Sequence, residues 1–315
     1  MSISRKDIKI LFFGTPEISA YVLEKMLENK YNVIGVVAQE DKPVGRKNII
    51  EPVPTKVVAN KYNIPTYQFK KVREHYQELK ELNPDLILTL SYGQIISHDI
   101  LTIPKYGCLN LHGSILPKYR GAAPIQYALL NGDKETGVTL MEMVDKMDAG
   151  KMYAIKKFPL TLDDNYDSTI AKMEQVCFEI VEENLDKYLN NELKGEEQNE
   201  ELVTFTKKIL PEDEIITFDK TSDEIVNKVR ALSTHPGAYF VFNNIKYKIL
   251  KAEKIDDSSS LTSGTILAFN KKELLIKTKD GAIKVLLIQK QGKKVMGISD
   301  FYNGNSKDFE VNKVI

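Results

Sequence analysis

The run Cys108-Leu109-Asn110-Leu111-His112 sets a carboxamide and an imidazole two residues apart. Side chains alternate faces along a strand, so Asn110 and His112 project to one side, about 6–7 Å apart. The fifteen residues from Asn110 to Pro124 also hold the hydroxyl of Ser114, the guanidinium of Arg120, two glycines and two prolines. An alternating strand over 136–143 then leads into Val144-Asp145-Lys146-Met147-Asp148-Ala149-Gly150, a turn bearing a carboxylate. This clustering marks a site at the end of a buried strand. An amide donor can stabilise developing negative charge, and an imidazole beside a carboxylate can hold or relay a proton. Neither Cys108 nor Ser114 stands beside an evident base, so no covalent enzyme intermediate is expected. Cys108 reads as a packed small hydrophobe.

The apolar pattern shows what must position these groups. Residues 8–13 read as a buried strand stopped by Gly14-Thr15-Pro16, and Ile18, Val22, Leu23, Met26 and Leu27 then recur at helical spacing. A strand over 32–38, a helix from about 53, a short strand over 66–69, a helix over 72–82 and a strand over 86–90 follow. Alternating strands and helices with continuous apolar strands predict an α/β fold, a doubly wound, mostly parallel sheet with its site at the carboxyl ends of the strands. There is no glycine-rich dinucleotide fingerprint and no phosphate-binding loop, so nicotinamide, flavin or ATP binding is not supported. A helix over 168–190 closes a first domain, residues 1–190. Residues 191–205 are polar and acidic and are expected to form a linker. Residues 206–315 form a second domain, in which a helix over 222–232 precedes five short strands over 238–242, 245–252, 264–269, 273–277 and 283–289. Strands so short and so evenly spaced predict a small barrel.

Composition excludes several classes. The 315 residues are 42% hydrophobic and 28% charged, ordinary for a globular chain with a sizeable core. No apolar run reaches the roughly 18–20 residues of a membrane helix, and the N-terminus shows no secretion signal. The two cysteines, Cys108 and Cys177, lack metal-ligand or redox spacing, so no metal is expected, and the compartment is expected to be a reducing cytoplasm. The 44 basic and 44 acidic side chains cancel, but unevenly. Residues 179–205 carry nine acids against two lysines, and residues 206–315 carry 19 basic against 14 acidic side chains. A lysine-rich second domain suits a polyanionic partner.

The chain resembles the 10-formyltetrahydrofolate-dependent formyltransferases. Their signature is an Asn-x-His pair with an Asp-x-Gly turn 36 residues after the His, matched here by Asn110, His112 and Asp148. Their loop after the His is matched by His112-Gly-Ser-Ile-Leu-Pro-Lys-Tyr-Arg-Gly121, with Ile115 in place of Leu. Within the family the likeness is closest to the members that formylate methionine on initiator tRNA. Phe12-Phe-Gly-Thr-Pro-Glu17, the loop from Asp41 to Lys47 and Pro52 to Val57, Asn83-Pro-Asp85 with Ser91 to Ile96, and the C-terminal Gln291 to Met296 with Asp300 to Gly304 carry it, so it covers nearly the whole chain.

The resemblance implies a Rossmann-like catalytic domain and an OB-like, tRNA-binding second domain. Catalysis would rest on Asn110 and a protonated His112 as oxyanion donors, with Asp148 orienting His112 and helping relay the proton of the attacking amine. The folate co-substrate, 10-formyltetrahydrofolate, would lie against Tyr92, Gly93, Ile95, Ser114, Ile115, Leu116 and Pro117. The implied partner is initiator methionyl-tRNA, met by Lys42, Arg46 and Lys47 in the basic loop and by Lys293 and Lys294. Arg230 suits either a tRNA contact or a helix-capping ion pair. A monomer in the bacterial cytosol, with no membrane association, is expected. Formylation of a ribonucleotide amine or an amino sugar nucleotide is the alternative, and the second domain argues against the former. A tRNA-binding module with relic catalytic residues is disfavoured by the intact set of three.

Overall fold

The computed structural model describes residues 3–44 and 49–315. In chain order the first elements are β1 (Ile10–Gly14), α1 (Glu17–Glu28), β2 (Val33–Ala38), β3 (Lys42–Val44), β4 (Ile49–Glu51), α2 (Pro54–Lys61), β5 (Thr66–Gln68), α3 (Tyr76–Glu81) and β6 (Leu86–Leu90). They continue with α4 (His98–Leu101), β7 (Cys108–His112), β8 (Arg120–Gly121), α5 (Pro124–Leu130), β9 (Glu135–Glu142), β10 (Met152–Pro159) and α6 (Tyr166–Leu189). The remainder is β11 (Phe205–Thr206), α7 (Ser222–Leu232), β12 (Tyr239–Phe242), β13 (Ile245–Ile255), β14 (Ile266–Phe269), β15 (Leu274–Lys277), β16 (Ala282–Lys290), β17 (Met296–Gly297) and α8 (Ile298–Asn305).

Two compact units form. One comprises residues 1–121, 136–158 and 170–206, the other residues 122–135, 159–169 and 207–315. The expected linker, 191–205, therefore lies within the first unit, and two segments expected in the first domain lie within the second. Local bonding gives the reason in each case. Glu196 exchanges two backbone hydrogen bonds of 2.8 Å with Met152 in the first unit. Arg230 on α7 donates to carbonyls of Thr161 and Asp164 in the second.

The first unit is built on a sheet of order β10-β9-β7-β6-β1-β2-β5. β5, β2, β1, β6 and β7 run parallel, and β9 joins β7 antiparallel. The sheet is therefore mostly parallel, as the continuous apolar runs predict: every residue of β1 and β6 is buried. α1 turns Ile18, Val22, Leu23 and Met26 inward, the stripe read from its spacing. β10 was not foreseen, because this edge strand has no continuous apolar run, only Phe158 of Met152–Pro159 being fully buried. The helix expected over 72–82 is broken at His75, whose ring stacks on Phe69 at 4.1 Å between centroids. No helix among the described residues is long and apolar enough to cross a membrane.

In the second unit, α7 opens with a capping box. The Glu224 amide donates to Thr221 Oγ1 and the Thr221 amide to the Glu224 carboxylate. Its face of Ile225, Val226, Val229 and Leu232 joins a core with Phe240, Tyr247, Ile249, Ile276 and Phe301. The five expected strands are all present, in an antiparallel half-barrel of order β12-β13-β16-β15-β14 with β17 on β16.

Candidate active site

β7 carries the two central groups. Leu109 and Leu111 are buried on one face, leaving Asn110 and His112 on the other, at the carboxyl end of a parallel strand. The register sets Asn110 opposite Thr89 of β6 and Met141 of β9, and His112 opposite Thr139. The Thr89 hydroxyl donates to Asn110 Oδ1 at 2.7 Å. That fixes the carboxamide with its oxygen held by the sheet and its NH2 available as a donor.

His112 is 5% exposed. Its Nε2 lies 2.9 Å from the carbonyl of Tyr119. A carbonyl only accepts, so Nε2 carries a hydrogen and Nδ1 is left free of that bond. Nδ1 lies 3.7 Å from Asp148 Oδ2, inside ion-pair range but beyond a direct hydrogen bond. Oδ2 also accepts the backbone N–H of Gly121 at 2.8 Å. The three residues named from the sequence are thus brought together, with Nδ1 as the nitrogen that faces Asp148.

Two glycines make this geometry possible. A Cβ on Gly150 would lie 2.0 Å from the carbonyl oxygen of Glu142, so the turn can lie against β9 only with glycine there. Gly121 has φ +121°, and a Cβ on it would lie 2.3 Å from the carbonyl oxygen of Thr206. Asp148 itself adopts φ +50°, a left-handed conformation that short polar side chains tolerate best. Thr139 shapes the loop after His112, its hydroxyl donating to the Ser114 carbonyl at 2.7 Å and accepting the Leu116 amide at 3.2 Å.

No enzyme nucleophile emerges near β7. Burial pushes the Cys108 thiol up to about 12, far above the range where a thiolate forms at neutral pH. The Ser114 hydroxyl is fully buried and donates to the Lys118 carbonyl at 2.6 Å. Among the described residues no group of His, Cys, Asp and Glu side chains could hold a metal ion.

The other residues named from the sequence differ in exposure and in partners. Ser114 presents no free hydroxyl, and its part is to shape the loop. Tyr92 is buried edge-on against Phe13, with ring centroids 5.1 Å apart. Its carbonyl accepts Gln39 Nε2 at 3.0 Å. Leu116 is likewise buried, whereas Ile115 and Pro117 are half-buried. Gly93 follows Tyr92 on the loop, and Ile95 is held out from it, 85% exposed. Arg230 is 7% exposed, and its guanidinium donates to the carbonyls of Asp164 and Thr161 and to Asn227 Oδ1. Its guanidinium is therefore engaged within its own unit, by backbone carbonyls and an amide and not by the ion pair the sequence offered. Lys42 is exposed on β3, which pairs antiparallel with β4, while Arg46 and Lys47 lie outside the described residues. Burial pushes the Asp41 carboxyl up, but bonds from Lys56, Gln68 and the Val53 amide outweigh it and hold the carboxyl below the usual range. Asp41 so anchors the foot of the β3–β4 pair. Lys293 and Lys294 are exposed in the turn between β16 and β17.

Thr89, Thr139 and Gln198 were missed by sequence reasoning. Thr89 had left a signal, a lone polar residue inside the apolar run Leu86–Leu90.

Comparison with known proteins places the geometry. Residues 7–184 match the formyl transferase domain, and residues 208–306 match the formyl transferase C-terminal domain. The chain is 43% identical over 304 residues to a protein of Malacoplasma penetrans named methionyl-tRNA formyltransferase, covering 96% of each chain. It is 40% identical to a protein of that name from Mesoplasma florum, covering 97% of this chain and 98% of the other. Among solved structures it is similar to HypX from Aquifex aeolicus in complex with tetrahydrofolic acid, with a TM-score of 0.65 and 19% identity. That likeness covers 96% of this chain and 48% of HypX and concerns the fold.

Proposed function

The chain belongs to the formyl transferase family and carries both of its domains, and we propose that it moves the formyl group of 10-formyltetrahydrofolate to the amino group of methionine on initiator tRNA. The product is N-formylmethionyl-tRNA, used to initiate translation in the bacterial cytosol, and the enzyme acts as a monomer. The observation that carries the choice of acceptor is likeness over nearly the full chain, second domain included, to relatives named for that activity.

The site chemistry supports amine attack on a formyl carbonyl. Such an attack builds negative charge on the carbonyl oxygen, and Asn110 supplies an N–H donor whose direction Thr89 fixes. His112, anchored through Nε2, holds or takes up a proton at Nδ1. Asp148 stands 3.7 Å from that nitrogen, a separation that one water can bridge to pass a proton. With Ser114 and Cys108 both buried and unactivated, direct transfer needs no covalent intermediate.

The folate fits the surface at the carboxyl ends of β6 and β7. Exposed Ile95 and half-buried Ile115 and Pro117 offer apolar contact there, with Gly93 and the Leu116 backbone beside them. The tRNA is met by Lys42, Arg46 and Lys47 and, in the second unit, by Lys293 and Lys294.

The test is formyl transfer from 10-formyltetrahydrofolate to charged initiator tRNA, run beside glycinamide ribonucleotide and an amino sugar nucleotide. Activity on the tRNA is expected, and Asn110→Ala is expected to lower kcat by about 10²–10³. Activity confined to a small amine would overturn the reading.

A further inference from the structure

The acidic segment after α6 runs back along the site. The Tyr119 amide donates to Thr204 Oγ1 at 2.8 Å, and the Arg120 amide donates to the Thr204 carbonyl at 2.9 Å. β11 then pairs parallel with β8, Phe205 with Arg120 and Thr206 with Gly121. Six residues before Thr204 sits Gln198, 7% exposed. Its Nε2 donates both hydrogens, to the carbonyls of Asp148 and Gly150, each at 2.8 Å. Its Oε1 accepts Arg120 Nε at 2.9 Å. Arg120 is wholly buried, and its Nη2 meets Glu200 at 2.8 Å.

These bonds close a ring. Gln198 holds the Asp148 carbonyl, Asp148 Oδ2 accepts the Gly121 amide, Gly121 is the next residue after Arg120, and Arg120 donates back to Gln198. The segment so holds both partners of His112: the Tyr119 carbonyl on Nε2, through Thr204, and the Asp148 carboxylate facing Nδ1, through Gln198.

We propose that Gln198 is a positioning residue for formyl transfer, clamping the turn Asp148-Ala149-Gly150 so that the carboxylate stays directed at His112 Nδ1. Two carbonyls drawn to one nitrogen fix the peptide planes around Asp148, whose left-handed φ of +50° gives it an incentive to relax. Only a planar group with two donors and an acceptor meets the turn and Arg120 together. The proposal rests on the reading of Asp148 as the partner of His112.

The test uses the full chain with Gln198→Ala and Gln198→Glu, each alone and combined with Asp148→Asn. Circular dichroism and thermal unfolding are followed on the same samples. Gln198→Glu keeps the acceptor for Arg120 and its shape but turns an oxygen toward the two carbonyls, so it tests the clamp even where Gln198→Ala does not fold. In the wild-type background kcat should fall at least about tenfold, with KM for each substrate within about twofold. In the Asp148→Asn background the same change should cost less than about twofold, since a positioning residue has nothing left to position. Wild-type kcat in folded Gln198→Glu, or the same fold-loss in both backgrounds, would overturn the proposal. Failure of the functional reading would show separately, as a wild-type chain without formyl transfer.

Discussion

Thr89→Val isolates the orientation of the amide donor from its presence. Thr89 is buried, and its hydroxyl donates to Asn110 Oδ1 at 2.7 Å. Valine keeps the branched shape and the strand but deletes the hydroxyl. Two costs follow. The Asn110 oxygen loses a partner in a half-buried setting, worth about 1–2 kcal/mol of stability. The carboxamide also loses the bond that separates its productive orientation from the flipped one. A net hydrogen bond of about 0.5–1.5 kcal/mol corresponds to about a 2- to 12-fold change in that preference. kcat should therefore fall by about that factor, well short of the about 10²–10³ expected on losing an oxyanion donor outright in Asn110→Ala. KM for both substrates should hold. The measurement is steady-state formyl transfer with the three proteins side by side, with thermal unfolding on each. A wild-type kcat in Thr89→Val would show that Asn110 is oriented by something else. A loss as large as that of Asn110→Ala would show that orientation and donation are not separable, and the reasoning fails either way.

Other consequences are testable on the same footing. Arg230→Ala strips donors from two carbonyls and an amide oxygen, so unfolding stability should drop by about 2–4 kcal/mol while the salt dependence of tRNA binding stays as in wild type. Replacing both exposed lysines, Lys293 and Lys294, with glutamine should instead flatten that dependence by about one unit per lost phosphate contact, with stability unchanged; an unaltered slope removes this turn from the interface. Hydrogen bonds from Arg120 and then Lys146 hold the Glu200 carboxyl at about 2, below its usual 4.5. A depressed carboxylate contributes stability above its unfolded value and loses it as pH falls through the folded one. The excess melting temperature of wild type over Glu200→Gln should thus be full above about pH 5 and shrink below about pH 4.5; a constant difference refutes the pairing. Burial holds both thiols protonated, so neither Cys108 nor Cys177 should react with a thiol reagent at neutral pH until denaturant is added, and stoichiometric labelling of the native chain would contradict that.

The legible parts of the fold were those with one dominant cause. β1 and β6 are wholly buried and, Thr89 apart, apolar, and α7 combines a capping box with a buried stripe, so local chemistry and tertiary environment agree. β10 escaped because an edge strand with little buried surface has no apolar run to read. Asn110 and His112 were legible because strand parity alone puts them on one face. Asp148 needed a family signature, since no local rule joins a turn after β9 to a residue 36 positions earlier. Arg230 was ambiguous for a similar reason: its acceptors are backbone carbonyls of a segment some 66 residues away, which leave no trace in side-chain pattern. Gln198 was invisible because the surrounding polar, acidic composition reads as solvated chain, and backbone carbonyls, its partners, are the same in every sequence.

The acidity of that segment has a different meaning in the fold than in the sequence. Five of its nine acids meet cations of their own unit: Glu179 and Glu183 meet Lys156, Asp186 meets Arg5, Glu197 meets Lys151, and Glu200 meets Arg120 and Lys146. Apart from the pair made by buried Arg120, these lie at the surface, where such pairs add little stability singly. Their effect is to neutralise those acids within their own unit, so that the segment presents less negative charge than its sequence suggests. Charges act over about 8 Å at physiological salt, so a polyanion meets local surface and not the molecular sum. The zero net charge therefore describes no surface in particular. Five of the nine acids are matched within the first unit, while Lys293 and Lys294 stand exposed in a unit whose residues 206–315 carry more basic than acidic side chains. A zero sum thus leaves room for a basic surface at that turn, and the salt dependence of tRNA binding in the two-lysine variant is the measurement that reads it.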